Sequence, residues 1–258
     1  MANFIRTTFI FIVLLFNFCV FNGYAEVITL RADEWCPYNC QPNANQRGFM
    51  IELAEIVFKK AGHTIDYQIM PWARAIQDTR KGKVNAIVGA GKEDAPDFIF
   101  PENEQGQMIS AFYVKKEESW RYNNMESLKD KILGVINDYS YNTEIDKYIK
   151  ENKKNDKLIQ VASGNDALTT NVKKLLAGRI HVLVEDRNVM AQYIKTNSQD
   201  NAIQEAGTSG SDTLYFAFSP ANTNSAAYAK LLSDGVVELR KSGELKIILE
   251  KYGLKDWK

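Results

Sequence analysis

The side chains able to do chemistry gather just after short runs rich in apolar and β-branched residues. Asp33, Glu34, Trp35 and Tyr38 follow the run at 27–31, and Pro71 and Trp72 follow the run at 65–70. Gly89, Ala90, Gly91 and Lys92 follow the run at 84–88. In the second half Asn137 to Tyr141, then Ser163 to Asn165, then Glu185 and Asp186 occupy equivalent places. Carboxylates, aromatic rings and glycines that admit close approach suit the holding of a small polar molecule. An activated nucleophile would need Ser, Cys or Thr beside a base. The two histidines, His63 and His181, lie in no recognisable motif, and there is no Gly-x-Ser-x-Gly turn. Neither histidine has partners at ligand spacing, so no metal and no other cofactor is expected. Acid–base chemistry through Glu185 or Asp186 with Lys92 stays open as an enzymatic route. Cys36 and Cys40, separated by three residues, read as a short disulfide loop; a redox motif usually has two between them.

These residues need elements to position them. The 258 residues balance 32 Lys+Arg against 32 Asp+Glu, which excludes the basic surplus of a nucleic-acid binder. A hydrophobic fraction of 45% and a charged fraction of 25% mark a globular chain, long enough for one large or two modest domains. Arg6, an apolar run from Phe9 to Phe21 and the exit Gly23-Tyr24-Ala25 read as a secretory signal peptide over residues 1–25. Cleavage after Ala25 leaves 233 residues with Cys36 and Cys40 as their only cysteines, and removes Arg6 from the positive side. The export compartment is oxidising, which favours the disulfide.

Beyond the leader, strands and helices alternate. Strands are expected at 27–31, 65–70 and 84–88, with a helix from Phe49 that stops at Gly62 and another from Pro71 to Arg80. The order returns with strands at 132–136, 158–161 and 180–184 and helices at 140–150 and 165–176, Ser140 capping the first of these. Residues 196–212 read as a surface loop and crossing segment, before a strand at 214–218 and helices at 225–241 and 244–252. Gly82-Lys83-Val84-Asn85-Ala86-Ile87-Val88 matches Gly178-Arg179-Ile180-His181-Val182-Leu183-Val184 type for type, a helix-ending glycine feeding a buried strand in each half. Two equivalent α/β halves with parallel sheets follow.

Gly48-Phe49, Pro71-Trp72-Ala73-Arg74-Ala75, Gly82 to Ile87, Leu128 to Lys131 before Gly134-Val135, and Gly243 with Lys251-Tyr252-Gly253 form an ordered set across residues 26–258. In that order and spacing the chain resembles the bacterial extracellular solute-binding proteins of family 3, which include periplasmic polar-amino-acid receptors of ABC transporters. The resemblance implies an α/β fold of two Rossmann-like lobes with a ligand cleft between them, the periplasmic binding protein-like II architecture. Lobe one would be 26–113 plus 215–258 and lobe two 114–214, joined by two crossover strands. It implies that Trp35 stacks on the ligand, that Asp186 holds a ligand amine, and that Asp138, Tyr139 and Ser140 receive a carboxylate at a helix start. Tyr38, Trp72 and Gly89 join the expected ligand-binding set. The family's carboxylate-clamping Arg is missing from Gly89 to Asp97; Lys92 and Arg74 stand nearest, without its bidentate geometry. Acids and aromatics without that clamp suit a cationic or amine-bearing ligand. Asp186 also suits the cap of the helix after it, and Trp72 suits lobe packing. The implied protein is a periplasmic, monomeric, non-enzymatic receptor that closes on a small polar ligand and delivers it to an inner-membrane permease. A cyclohexadienyl dehydratase-like enzyme and a sensing subunit for a membrane receptor are the alternatives on the same fold.

Overall fold

A computed structural model describes residues 25–258, so the leader expected at 1–25 lies, except for Ala25, outside the described residues. Strand β1 (Val27–Ala32) buries Ile28, Leu30 and Ala32 and pairs in parallel with β2 (Thr64–Ile69) and β3 (Ala86–Ala90). Helix α1 (Phe49–Lys60) bridges β1 to β2 and α2 (Trp72–Arg80) bridges β2 to β3. Phe49, Leu53, Val57 and Phe58 of α1 meet the sheet and the helices α6 (Ser225–Ser242) and α7 (Glu244–Lys251) in one apolar core. The second lobe repeats the plan: β5 (Leu133–Ile136) pairs in parallel with β6 (Ile159–Ala162) and β7 (Val182–Asp186). Helices α3 (Thr143–Asn152) and α4 (Ala167–Leu176) connect them, and α5 (Arg187–Thr196) follows β7.

Two long antiparallel strands, β4 (Gly106–Lys115) and β8 (Ile203–Phe218), join the lobes. The order β2-β1-β3-β8-β4-β7-β5-β6 therefore reads alike from either end: second strand, first strand, third strand, crossing strand. The repeated heptapeptide lies at matching corners. Gly82 (φ 75°) and Gly178 (φ 68°) end α2 and α4 in the left-handed region, and the amide after each reaches five residues back, Lys83 to Asp78 O and Arg179 to Lys174 O. Such a corner wants glycine because a Cβ crowds its own backbone in that conformation.

Two expectations need correction. Residues 203–212 do cross between the lobes, but as the first part of strand β8 and not as a surface loop: they hydrogen-bond to β4 although Thr208–Thr213 is mostly exposed and Gly207 and Gly210 have positive φ. Composition signalled a turn there, and strand pairing overrode it. Ser140 does not cap α3. Asn142 does, its side chain accepting from Glu144 N at 3.1 Å and Ile145 N at 3.0 Å. Among the described residues no helix is long and apolar enough to cross a membrane.

Candidate functional site

The site begins where β1 ends. After Ala32 the chain turns through a loop in which Trp35 N donates to Asn39 O at 2.8 Å and Tyr38 N to Trp35 O at 3.0 Å. A Cys36–Cys40 disulfide closes it, S–S 1.96 Å, and the Cys36–Pro37 peptide is cis. Helix α1 holds the loop from below: its first amides, Phe49 N and Met50 N, donate to Pro37 O at 2.9 Å and Tyr38 O at 3.0 Å. Those amides have no partner inside their own helix, so the loop carbonyls satisfy them. Gly48 makes the approach possible, since with φ 103° a Cβ there would stand 2.3 Å from Tyr38 O. The loop thereby presents Trp35 stacked on Tyr38, ring centroids 4.4 Å apart, and turns Asn39 inward.

The carboxyl ends of the strands of both lobes face each other across this loop, and side chains bridge the gap. Trp35 Nε1 donates to Glu185 Oε1 at 2.9 Å, Trp72 Nε1 to Asp138 O at 3.0 Å and the Tyr139 hydroxyl to Asp33 Oδ2. Ser140 N donates to Asp94 Oδ1 at 3.0 Å, and Asp94 Oδ2 accepts from Gly91 N at 2.7 Å. Between them lies a chamber of about 30 Å³ walled by Trp35, Asn39, Trp72, Gly89, Asp94 and Tyr139 among others. Gly89 (φ 83°) is part of the wall, where a Cβ would sit 3.2 Å from Asn39 Oδ1 and 3.5 Å from the Trp35 ring. A groove of about 630 Å³ adjoins the chamber, sharing Asp94, Tyr139 and Ser140 with it.

The site is anionic in composition and hard to charge. Burial pushes Asp33 up to about 6 against the opposing hydrogen bond from Tyr139. It pushes Asp94 to about 7 and Glu185 to about 8, against hydrogen bonds from Gly91 N and Ser140 to the first and from Trp35 to the second. Asp186 rises to about 6 for the same reason, moderated by the amides of Ile109, Val189 and Asn188. Among the described residues no Lys, Arg or His lines the chamber. Desolvation without a cationic partner favours the neutral acid, and an arriving cation would reverse that preference. At this site two buried acceptors, Asn39 Oδ1 and Glu185 Oε2, have no hydrogen-bond partner among the described residues.

The expected ligand-binding residues separate into three groups. Trp35, Trp72, Gly89, Tyr139 and Ser140 meet at the chamber. Tyr38 and Asp186 stand behind it. The Tyr38 hydroxyl donates to Gln107 O at 2.7 Å and accepts from Asn188 Nδ2 at 3.0 Å. Asp186 caps α5, its Oδ1 accepting from Asn188 N at 2.8 Å and Val189 N at 2.9 Å while its Oδ2 accepts from Ile109 N at 2.9 Å. Arg74 and Lys92 point elsewhere. Arg74 is 71% exposed and pairs with Asp78 on its own helix, and Lys92 lies 5.1 Å over the Tyr215 ring. Sequence reasoning did not single out Asn39, Asp94 and Met108 of the lining. Asn39 had a usable signal, its place inside the cysteine loop; Met108, inside a crossing strand, had none.

Comparison with known proteins fits this arrangement. The family model of bacterial extracellular solute-binding proteins, family 3, matches residues 28–255, and the chain belongs to that family. The "Probable amino-acid-binding protein YxeM" of Bacillus subtilis (strain 168) is 22% identical over 224 residues, covering 84% of this chain and 79% of that protein. The "Probable histidine-binding protein" of Neisseria gonorrhoeae is 21% identical over 229 residues, covering 86% of this chain and 81% of that one. An ancestral arginine-binding protein bound to arginine superposes with TM-score 0.69 at 22% identity, covering 88% of this chain and 97% of that one. The fold is that of the two-lobed binding proteins.

Proposed function

We propose that the protein is a periplasmic receptor that captures a small polar ligand, amino acid-like or amine-bearing, by closing its lobes, and hands it to an ABC permease. The observation that carries this reading is the chamber between the lobes, walled by aromatic rings and acids and bridged by hydrogen bonds from one lobe to the other. Lobe one is 26–113 plus 215–258 and lobe two is 114–214. The crossing strands act as the hinge, where register breaks between Ile109 and Ala111 and β8 is exposed at Thr208–Thr213. Ligand settles on Trp35 and Asn39 of lobe one, and Tyr139 and Ser140 of lobe two then close over it. Only interactions that the closed form makes and the open form lacks can favour closure. Membership of a solute-binding family, and relatives named for binding amino acids, support the reading.

A thermal-shift screen of the purified protein against small metabolites tests it. Stabilisation by one class of amino acid or amine, with no product formed, is the expected result. Turnover of prephenate or arogenate would replace the receptor with an enzyme on the same fold.

A further inference from the structure

We propose that the cleft selects an organic cation without a carboxylate, an amine or guanidine whose head group enters the chamber unaccompanied by an acid. This deepens the receptor reading and rests on it. Donor supply weighs against a carboxylate. A carboxylate entering the chamber needs N–H or O–H groups to receive it, and both indoles, the Tyr139 phenol and one of the two Asn39 amide hydrogens are engaged. Trp35 and Trp72 donate to Glu185 and Asp138 O, Tyr139 to Asp33, and Asn39 Nδ2 to Asp33 O at 2.7 Å.

The backbone amides that would serve best are Ser140 N, from lobe two, and Gly91 N, from the segment after β3. Both already bind one carboxylate, the chain's own Asp94. Asp94 thus stands where an acid group of a ligand would have to stand. A ligand carboxylate would have to displace it and then share the site with a second negative charge, and like charges at that separation repel strongly.

What the chamber offers instead is acceptance. Asn39, 1% exposed and on the chamber wall, has an Oδ1 with no partner among the described residues. Asp33 and Asp94 add carboxylates, and the rings of Trp35 and Trp72 stand in the wall, Trp35 with one face taken by Tyr38; an aromatic ring attracts a cation through its quadrupole. The remainder of the molecule extends past Asp94 and Tyr139 into the 630 Å³ groove, whose lining sets Glu93, Asp138 and Asp146 beside Arg80, Lys150 and Lys153.

Matched pairs differing only by the carboxylate test this by isothermal titration at pH 8: agmatine against arginine, cadaverine against lysine, and putrescine against ornithine. In at least one pair the amine is expected to bind tenfold or more tightly than its amino acid. Asp94→Ala, which frees Ser140 N and Gly91 N, is expected to bind that amino acid more tightly than the unmodified protein does. Asp94→Asn, which keeps an acceptor but removes the charge, is expected to show the same change in smaller degree and serves if the alanine variant does not fold. Amino acids binding as tightly as the amines, or gaining nothing in either variant, overturn the proposal and leave the receptor reading standing. No binding of any of the six compounds, with other metabolites equally silent in the thermal-shift screen, overturns both.

Discussion

Asp186 and its neighbour Glu185 show how two adjacent acids at the end of one strand divide their roles. Asp186 accepts three backbone amides, which makes it a fastening between β7, α5 and β4. Replacing it by Ala removes a helix cap, worth about 1 kcal/mol, and orphans the partly buried Ile109 amide at about 2 more. Chemical denaturation of Asp186→Ala should therefore show a loss of about 3 kcal/mol, with Asp186→Asn costing about 1 or less because an amide oxygen can still cap. A stable Asp186→Ala protein that has lost its ligand would instead place Asp186 on the ligand. Glu185, with Asp33 and Asp94, gives the cleft its pH response. Each has a folded pKa above its ordinary value, about 8, 6 and 7 respectively, so the folded protein keeps protons that the unfolded chain releases between pH 4 and 8. The folded state then loses stability as pH rises through that window. The ligand-free melting temperature should fall between pH 5 and pH 8.5, while affinity for a cation rises over the same range as these acids ionise. Parallel slopes for the two would contradict the assignment of these acids to the cleft.

At the scale of elements, the cysteine loop and α1 behave as one piece. Gly48→Ala puts a Cβ against the Tyr38 carbonyl in a backbone conformation that side chains avoid. It should cost more than about 2 kcal/mol and weaken ligand binding, because Trp35 and Asn39 are aimed from this joint. Calorimetric melting paired with titration measures both; an unchanged melting temperature would detach the loop from the helix. Most of this lobe was legible. The amphipathic spacing of Phe49, Leu53, Ile56 and Val57 and the glycine stops located α1 and its corner, and the rule that ligands sit beyond strand ends led to Trp35 and Gly89. The crossing strands were not legible at the same level. Residues 203–212 carry glycine and polar residues with little burial, and only pairing with a partner about 100 positions away makes them a strand. Asp94 escapes notice in a segment where the expected clamp is an Arg; its role depends on a lobe-two amide that nothing nearby in the chain announces.

For the whole molecule, the bridges between lobes describe a closed form that is held at a few points. Tyr139 to Asp33, Trp72 to Asp138 O and Ser140 N to Asp94 cross the cleft. Removing the hydroxyl in Tyr139→Phe should shift the ligand-free protein toward an open form, seen as a larger radius of gyration by X-ray scattering, with ligand restoring the compact value. A Tyr139→Phe protein as compact as the parent without ligand would mean that the hydroxyl does not hold the lobes together. The same connectivity carries a consequence for how the protein assembles. Lobe two is built from one uninterrupted stretch, whereas β3 of lobe one is flanked by β8, with Ala86 beside Phe218, and α1 packs on α6 and α7 from the end of the sequence. Lobe one must wait for residues more than a hundred positions downstream, and closing so long a loop is slow. Trp120, packed on Phe112 of the crossing strand β4 at the lobe-two core, should reach its native fluorescence before Trp35 does when single-tryptophan proteins refold. A chain whose lobe one cannot close until its last helices arrive keeps that lobe unfolded through most of its synthesis, and an unfolded segment is what can be threaded through a membrane.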